Sequence, residues 1–312
     1  MSTPSIKNLK QISREEFIAP GTSLCGGCGG LEAFRLAAKV LGPKTVFVNA
    51  AGCFTLLTVF PYTPFRGSWL YTTMASAPAG AQGIRDALDV LIARGKMAAE
   101  DDVNVVVVAG DGATCDMALS ATSGAIFRDL DFWYFCYDNE SYGNTGVQMS
   151  SATPYGARTT TTPVSETTKE GTKQGKKDLF EIWRAHRPSY LATVSARYAV
   201  DLTNKFLKAR SRRGPKLFIA HAPCPTGWLF DPKRTAQYAR LAVEAGIFPL
   251  KEAVDGVVTH THVPRRRRPV EEYLQGQGRY RHLFEPNRNE AAIQRIQDQV
   301  DRYWVTVSRD QC

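Results

Sequence analysis

The chain has 312 residues, 43% hydrophobic and 22% charged, with a formal net charge of +9. That length buries a sizeable core without disulfide help, and the composition excludes a chain disordered throughout. No apolar run approaches the roughly 18 residues that cross a bilayer, and the opening MSTPSIKNLKQISREEF has no signal-peptide core, which predicts a cytoplasmic protein with no membrane span.

In chain order, LCGGCGG comes first, two cysteines three apart among glycines. A run this rich in glycine points to a backbone that must approach something closely. Taken alone, CxxC fits a redox dithiol, a zinc knuckle, an iron–sulfur ligand pair or two small core thiols. A helix is expected over Leu31–Lys44, ending at Gly42 and Pro43. The strand TVFVNA and an aromatic, Pro-rich stretch from Phe54 to Tyr71 follow, then a helix through about Gly95. VNVVVVAG and FWYFCYD are continuous apolar runs, the mark of strands covered on both faces of a parallel sheet, with a helix over Asp116–Arg128 between them. The polar segment from Asn139 to Asp178 lacks periodicity, and a loop that long is usually functional. YLATVS, a helix from about Val200 to Arg210 and KLFIAHAPC restore the alternation; beyond Cys224 the pattern is polar and irregular, with a final helix over Asn289–Val305. The order implies an α/β fold with a mainly parallel sheet flanked by helices. The expected division is 1–230 for the binding domain and 231–312 for an irregular C-terminal extension packed on it or on partner subunits.

Two groups of residues fall at strand ends, where open α/β sheets bind ligands. Gly110-Asp111-Gly112 ends one strand and opens a helix, so backbone N–H groups there, Ala113 included, can face phosphate oxygens while Asp111 offers a hard oxygen to Mg²⁺. Asn139 ends the next strand, and the Ser141 carbonyl can complete such a site. Glu140 reads as a turn carboxylate. Cys25, Cys28, Cys53 and Cys224 precede a helix or follow strands, so four sulfurs from three segments can enclose one metal centre, zinc or iron–sulfur. One close pair plus two single ligands favours the cluster. Cys115 and Cys136 read as core thiols and Cys312 as a terminal free thiol. The basic tract Arg265–Arg268 reads as a solvated loop or subunit contact, and no nucleic-acid motif accompanies it.

The segments LCGGCGG, NAAGC, GDGATCDMAL, YDNESYGNTGVQMSSATP and APCPTGW together resemble the β subunit of the 2-oxoacid:ferredoxin oxidoreductases, over nearly the whole chain. The resemblance implies a thiamine-diphosphate-binding fold and oxidative decarboxylation of a 2-oxoacid. Pyruvate is the default substrate, phenylglyoxylate and oxalate being handled by close relatives, with coenzyme A as acyl acceptor and electrons passing to ferredoxin or another acceptor. It implies one 4Fe–4S cluster on Cys25, Cys28, Cys53 and Cys224; Mg²⁺ on Asp111, Asn139 and the Ser141 backbone; cofactor contacts from Gly110, Gly112, Ala113, Thr145 and Cys53; and Asn144 facing substrate. It also implies alpha, gamma and ferredoxin-like delta partners, one of which supplies the glutamate that activates thiamine. One departure is MASAPAGAQGI, where the family often has Glu-Asn-Ala. The rival readings are a non-redox thiamine decarboxylase, which would have no use for the cysteines, and a zinc-stabilised basic binding module.

Overall fold

The computed structural model describes residues 5–59 and 61–309. Eight strands form one sheet: β1 (Thr45–Ala50), β2 (Ser68–Thr72), β3 (Asn104–Gly110), β4 (Trp133–Asp138), β5 (Tyr190–Ser195), β6 (Lys216–His221), β7 (Leu250–Val254) and β8 (Val257–His262). Their order is β2-β1-β3-β4-β6-β5-β7-β8. The first six run parallel, and β7 and β8 join antiparallel beyond β5. Nine helices accompany them among the described residues: α1 (Gly29–Leu41), α2 (Ala77–Ala93), α3 (Leu119–Phe127), α4 (Leu179–Ala185), α5 (Ala199–Arg210), α6 (Pro225–Trp228), α7 (Thr235–Glu244), α8 (Val270–Leu274) and α9 (Glu290–Arg309). None is long and apolar enough to cross a membrane.

The apolar strand runs are buried on both faces, as continuous hydrophobicity requires. Val106 and Val108 of β3 point into a cluster with Phe34, Phe135, Phe206 and Phe218 under α1 and α5, while Val105 and Val107 point into the opposite cluster under α2 and α7–α9. The helix predicted over Leu31–Lys44 is α1, which stops where Gly42 adopts φ +77° and donates its N–H to the Ala38 carbonyl. Cys115 and Cys136 are buried core thiols, as expected; Cys312 lies outside the described residues.

Three differences from the sequence pattern have physical reasons. The Pro-rich stretch contains β2, an edge strand whose Leu70 and Tyr71 face outward, so its apolar residues follow no core-facing alternation. The helix expected over Asp116–Arg128 is preceded by a π turn over Ala113–Met117, where the Ala118 N–H reaches the Ala113 carbonyl; such wide turns cluster at functional sites. Beyond Cys224 the chain is more ordered than its polarity suggests, because β7 and β8 extend the sheet and α9 packs Ile293, Ile296, Val300 and Trp304 on it at helical spacing.

Between β1 and β3 the strand order reverses, since the chain leaves β1 for the β2 edge and returns on the other side; this is where α/β sheets bind ligands. The C-terminal helix closes one face, with the Trp304 indole donating to the Gly246 carbonyl at 3.0 Å. Trp304→Ala should cost about 3–5 kcal/mol in denaturant unfolding, as large aromatic truncations do. A loss below about 1 kcal/mol would show that α9 is not part of the core.

Candidate active site

The residues after β1, β3 and β4 line a cavity of about 130 Å³ at the reversal point. Of the residues expected to form the site, Cys53, Gly110, Gly112, Ala113, Asn139, Ser141, Asn144 and Thr145 border it. Asp111 lies beneath, fully buried. Asn144 and Thr145 are exposed at its mouth, in a tight 142–148 turn where Val147 N–H donates to the Tyr142 carbonyl at 2.9 Å and Tyr142 N–H to the Gln148 carbonyl at 2.9 Å. Gly112 is required by packing: a Cβ there would stand 2.4 Å from the Tyr142 ring, whose hydroxyl donates to the Gly112 carbonyl at 3.2 Å.

Asp111 ties two strand ends together. One carboxylate oxygen accepts the Asn139 N–H at 3.2 Å and the other accepts the Ser150 hydroxyl. Burial, then the neighbouring Asp138, pushes its pKa well up. Three carboxylates cluster here, Asp111, Asp138 and Glu140, all buried. Lys176 bridges Asp138 (2.6 Å) and Glu140 (2.9 Å), and Arg279 pairs with Glu140 at 2.7 Å. Asp111 alone of the three is in no ion pair among the described residues. A hard cation there would relieve that deficit, and the carboxylate, the Asn139 amide oxygen and the Ser141 carbonyl are oxygen donors of the kind Mg²⁺ takes. The Ser141 and Tyr137 hydroxyls are buried without a hydrogen-bond partner, so the cavity wall has polar capacity to spare for a polar guest.

Glu140 stands in a turn, as read, but inside the protein. It is 4% exposed, at φ +65°, a left-handed conformation uncommon outside glycine. That twist lies between Asn139 and Ser141, both of which border the cavity. Burial would push the Glu140 carboxyl up, but Lys176 and Arg279 more than offset it and hold it down at about 2. Arg279 also stacks on Trp228 (3.8 Å), and the Trp228 indole donates to the Asn139 carbonyl at 2.9 Å.

The glycines of LCGGCGG serve close approach. A Cβ on Gly29 would lie 2.6 Å from Pro223 Cδ, and the Gly29 N–H donates to the Pro223 carbonyl at 3.1 Å, which sets the loop against the residue before Cys224. Gly27, at φ +73°, leaves no room for a Cβ beside Pro232. The Thr226 hydroxyl donates to Cys25 Sγ at 3.5 Å and the Gly227 N–H to Cys224 Sγ at 3.2 Å. Burial, followed by the neighbouring sulfurs Cys224, Cys28 and Cys25, pushes the Cys53 thiol up to about 12, and burial pushes Cys28 up to about 11. The Asn139 amide donates to Cys53 Sγ at 3.8 Å, so this sulfur faces both the cavity and the other cysteines. The four sulfurs are gathered but not closed: among the described residues no three His, Cys, Asp or Glu side chains stand in metal-binding geometry. Their donor set, four thiols from three segments, suits a thiophilic centre.

Residues 50–220 match the family described as "Thiamine pyrophosphate enzyme, C-terminal TPP binding domain". Pyruvate synthase subunit PorB of Methanothermobacter thermautotrophicus is 45% identical over 292 residues, 93% of this chain and 97% of the relative. The chain belongs to the PorB family of thiamine pyrophosphate enzyme subunits. PorB of Methanocaldococcus jannaschii is 42% identical (93% and 96% covered), and ketoisovalerate oxidoreductase subunit VorB of Pyrococcus abyssi is 38% identical (89% of each). Among solved structures, "2-oxoglutarate:ferredoxin oxidoreductase from Magnetococcus marinus with 2-oxoglutarate, coenzyme A and succinyl-CoA bound" matches with a TM-score of 0.54 at 20% identity, covering 74% of this chain and 82% of that one, which shows the shared fold.

In this PorB-family chain, sequence reasoning missed the supports of the site: Ser150 under Asp111, Asp116 pinning the loop through Tyr142 (3.0 Å) and Ser151, and Lys176, Trp228 and Arg279 around Glu140. Ser150 and Trp228 lie inside the motif segments, and Arg279 inside the tail phrase PVEEYLQGQGRYRHLF, which also looks like the family's, but nothing local marks its pairing with Glu140. Arg279→Met leaves Glu140 buried without its closest fully buried cation, so unfolding stability should fall by about 3–5 kcal/mol. A change within about 0.5 kcal/mol in urea unfolding would contradict the pair's role.

Proposed function

We propose that the chain is the thiamine-diphosphate-binding subunit of a 2-oxoacid:acceptor oxidoreductase complex. In this reading Asp111, Asn139 and the Ser141 carbonyl hold Mg²⁺ and the diphosphate, and Cys25, Cys28, Cys53 and Cys224 hold one 4Fe–4S cluster. The observation that carries it is the double duty of Cys53, whose sulfur borders the cofactor cavity while sharing its surroundings with the other three cysteines. A non-redox decarboxylase gives that arrangement no purpose.

When bound, thiamine diphosphate supplies the electron sink for decarboxylation and the cluster a one-electron outlet. The chain's own residues bind, orient and exclude water. First-turn N–H groups at Gly112 and Ala113, which border the cavity, would receive the diphosphate. Ser150 and the Asn139 N–H orient the Asp111 carboxylate. Asn144, at the mouth, offers its amide to the substrate carbonyl or carboxylate. The net reaction converts a 2-oxoacid and coenzyme A to an acyl thioester, CO₂, a proton and two electrons, which leave for ferredoxin or another acceptor. Pyruvate is the first choice of substrate, in keeping with the PorB relatives.

The site needs a partner. Its cavity of about 130 Å³ falls well short of the roughly 300–1,000 Å³ of a complete cofactor pocket, and among the described residues no carboxylate borders it to activate the aminopyrimidine. Beside it, Leu56, Val59, Tyr62, Leu70 and Tyr71 expose an apolar surface on and near the β2 edge, the kind a permanent subunit covers. Residues 1–230 act as the binding unit, with 231–312 fastening Glu140 through Arg279.

Anaerobically purified complex should contain thiamine diphosphate and reduce methyl viologen with pyruvate and coenzyme A, whereas this chain alone, loaded with both cofactors, should be inactive. Replacing Cys53 and Cys224 together with Ala should remove about four iron atoms per copy of the chain and abolish viologen reduction. Unchanged iron content, or zinc in its place, would refute the cluster assignment.

A further inference from the structure

Asn139, the first residue after β4, engages every polar group it has. Its backbone N–H donates to Asp111 at 3.2 Å and its carbonyl accepts the Trp228 indole at 2.9 Å, so the main chain is pinned on both sides. In the side chain, the amide oxygen accepts the Ser141 N–H at 3.3 Å and the amide nitrogen donates to Cys53 Sγ at 3.8 Å. The Ser141 contact decides which way the amide faces. A backbone N–H needs an acceptor, so the oxygen lies there and the nitrogen is left for the sulfur.

The loop that follows presses on this contact. A Cβ at Gly143 would stand 2.9 Å from Asn139 Nδ2 and 3.4 Å from Cys53 Sγ, so bare backbone lies against both atoms at once. Gly143 is held there by its own N–H, which donates to the Ser141 carbonyl at 2.9 Å. Cys53, Asn139, Ser141 and Gly143 all border the cofactor cavity. One planar amide thus reaches from the oxygen donors of that cavity to the sulfur set, where Cys53 shares its surroundings with Cys25, Cys28 and Cys224.

We propose that Asn139 is a positioning residue whose carboxamide couples the two halves of the site, so that filling the cofactor cavity raises the electron affinity of the metal centre on Cys53. The inference rests on the redox reading above. A sulfur that ligates a metal is a thiolate, and the amide contact to it is charge-assisted, hence stronger than the same contact to a neutral thiol. Hydrogen bonds to the sulfurs help set the potential of an iron–sulfur centre, and they favour its more negative, reduced form. Oxygen and nitrogen are conjugated in an amide, so a cation drawing on the oxygen makes the N–H a better donor. Nothing has to move. The centre is the poorer acceptor while the cavity is empty and the better one when a 2-oxoacid is ready to give up electrons. By linkage the effect is reciprocal, and reduction of the centre tightens the hold on the cation by the same factor.

The test uses the purified complex, in which the EPR signal that disappears when Cys53 and Cys224 are replaced identifies this chain's cluster. Its midpoint potential is measured by anaerobic redox titration, with Mg²⁺ and thiamine diphosphate bound and after their removal, in the wild type, Asn139→Thr and Gly143→Ala. Iron and thiamine diphosphate content are determined for each. Threonine keeps an oxygen for the cation on a side chain one bond shorter and has no N–H to offer the sulfur. Alanine leaves every candidate ligand in place and wedges Nδ2 away from Sγ, at a position where the glycine does not adopt a positive φ. Both variants should titrate at a more negative potential than the wild type, and the gap should be wider with the cavity filled than with it empty. Wild-type potentials in both variants, with iron and thiamine diphosphate retained, overturn the proposal. A gap of equal size in the filled and empty states does so too, because it leaves a static hydrogen bond without coupling. Where Asn139→Thr loses its iron, the Gly143→Ala titration decides alone. Absence of any signal that depends on Cys53 and Cys224 would instead strike the redox reading itself.

Discussion

The structure depends on one close approach: a backbone loop without side chains lies directly on the end of β6. Gly29 gives its N–H to Pro223 where no Cβ fits, and Gly27, equally without room for a Cβ, accepts the Thr235 hydroxyl from the segment that starts α7. The strand ends carrying Cys53 and Cys224 are fixed by sheet register, since β1, β3, β4 and β6 are neighbours and end on the same side. Docking the loop there adds Cys25 and Cys28 to sulfurs that the sheet has already brought near. Any side chain at Gly29 has to push the loop outward, so the glycines act through packing more than through flexibility.

A second constraint keeps the neighbouring cavity-lining segment in shape. The Asn139-Glu140-Ser141 turn is held in a left-handed conformation by buried charge, with Lys176 and Arg279 on Glu140 and Trp228 on the Asn139 carbonyl. Buried ion pairs add little net stability, yet losing one partner is expensive, so the network fixes geometry more than it strengthens the fold. His221 sits in the same region with burial pushing it down to about 3, which makes it a neutral ring packed on Trp228 and Phe248 and not another cation. The C-terminal extension thereby shapes the site it does not line.

Much of this was legible in the sequence. The β3, β4 and β6 runs are apolar without interruption because both faces are covered, and that pattern placed GDG, Asn139 and Cys224 at strand ends. Other parts were hidden for definite reasons. In β2 only Trp69 packs on the core while Leu70 and Tyr71 are exposed at the edge, so its apolar residues follow no burial alternation. The seven residues of α4 are too few to display a helical period. Glu140 was readable as a turn residue but not as a buried one, because its partners Lys176 and Arg279 arrive through tertiary packing across a long loop and the C-terminal segment. The glycine–cysteine motif was conspicuous, but why it needed glycine became clear only from Pro223 and Pro232 above it.

Seen from the strand ends, the chain offers a cavity with Cys53 in its wall and an apolar margin beside it. The direct check is X-ray diffraction from anaerobically grown crystals of the complex, recorded at the iron absorption edge. Anomalous density for a single cluster enclosed by Cys25, Cys28, Cys53 and Cys224, against the cavity beside Asn139, is the result this account expects. Density at the zinc edge instead, or iron bonded to none of these sulfurs, would contradict it.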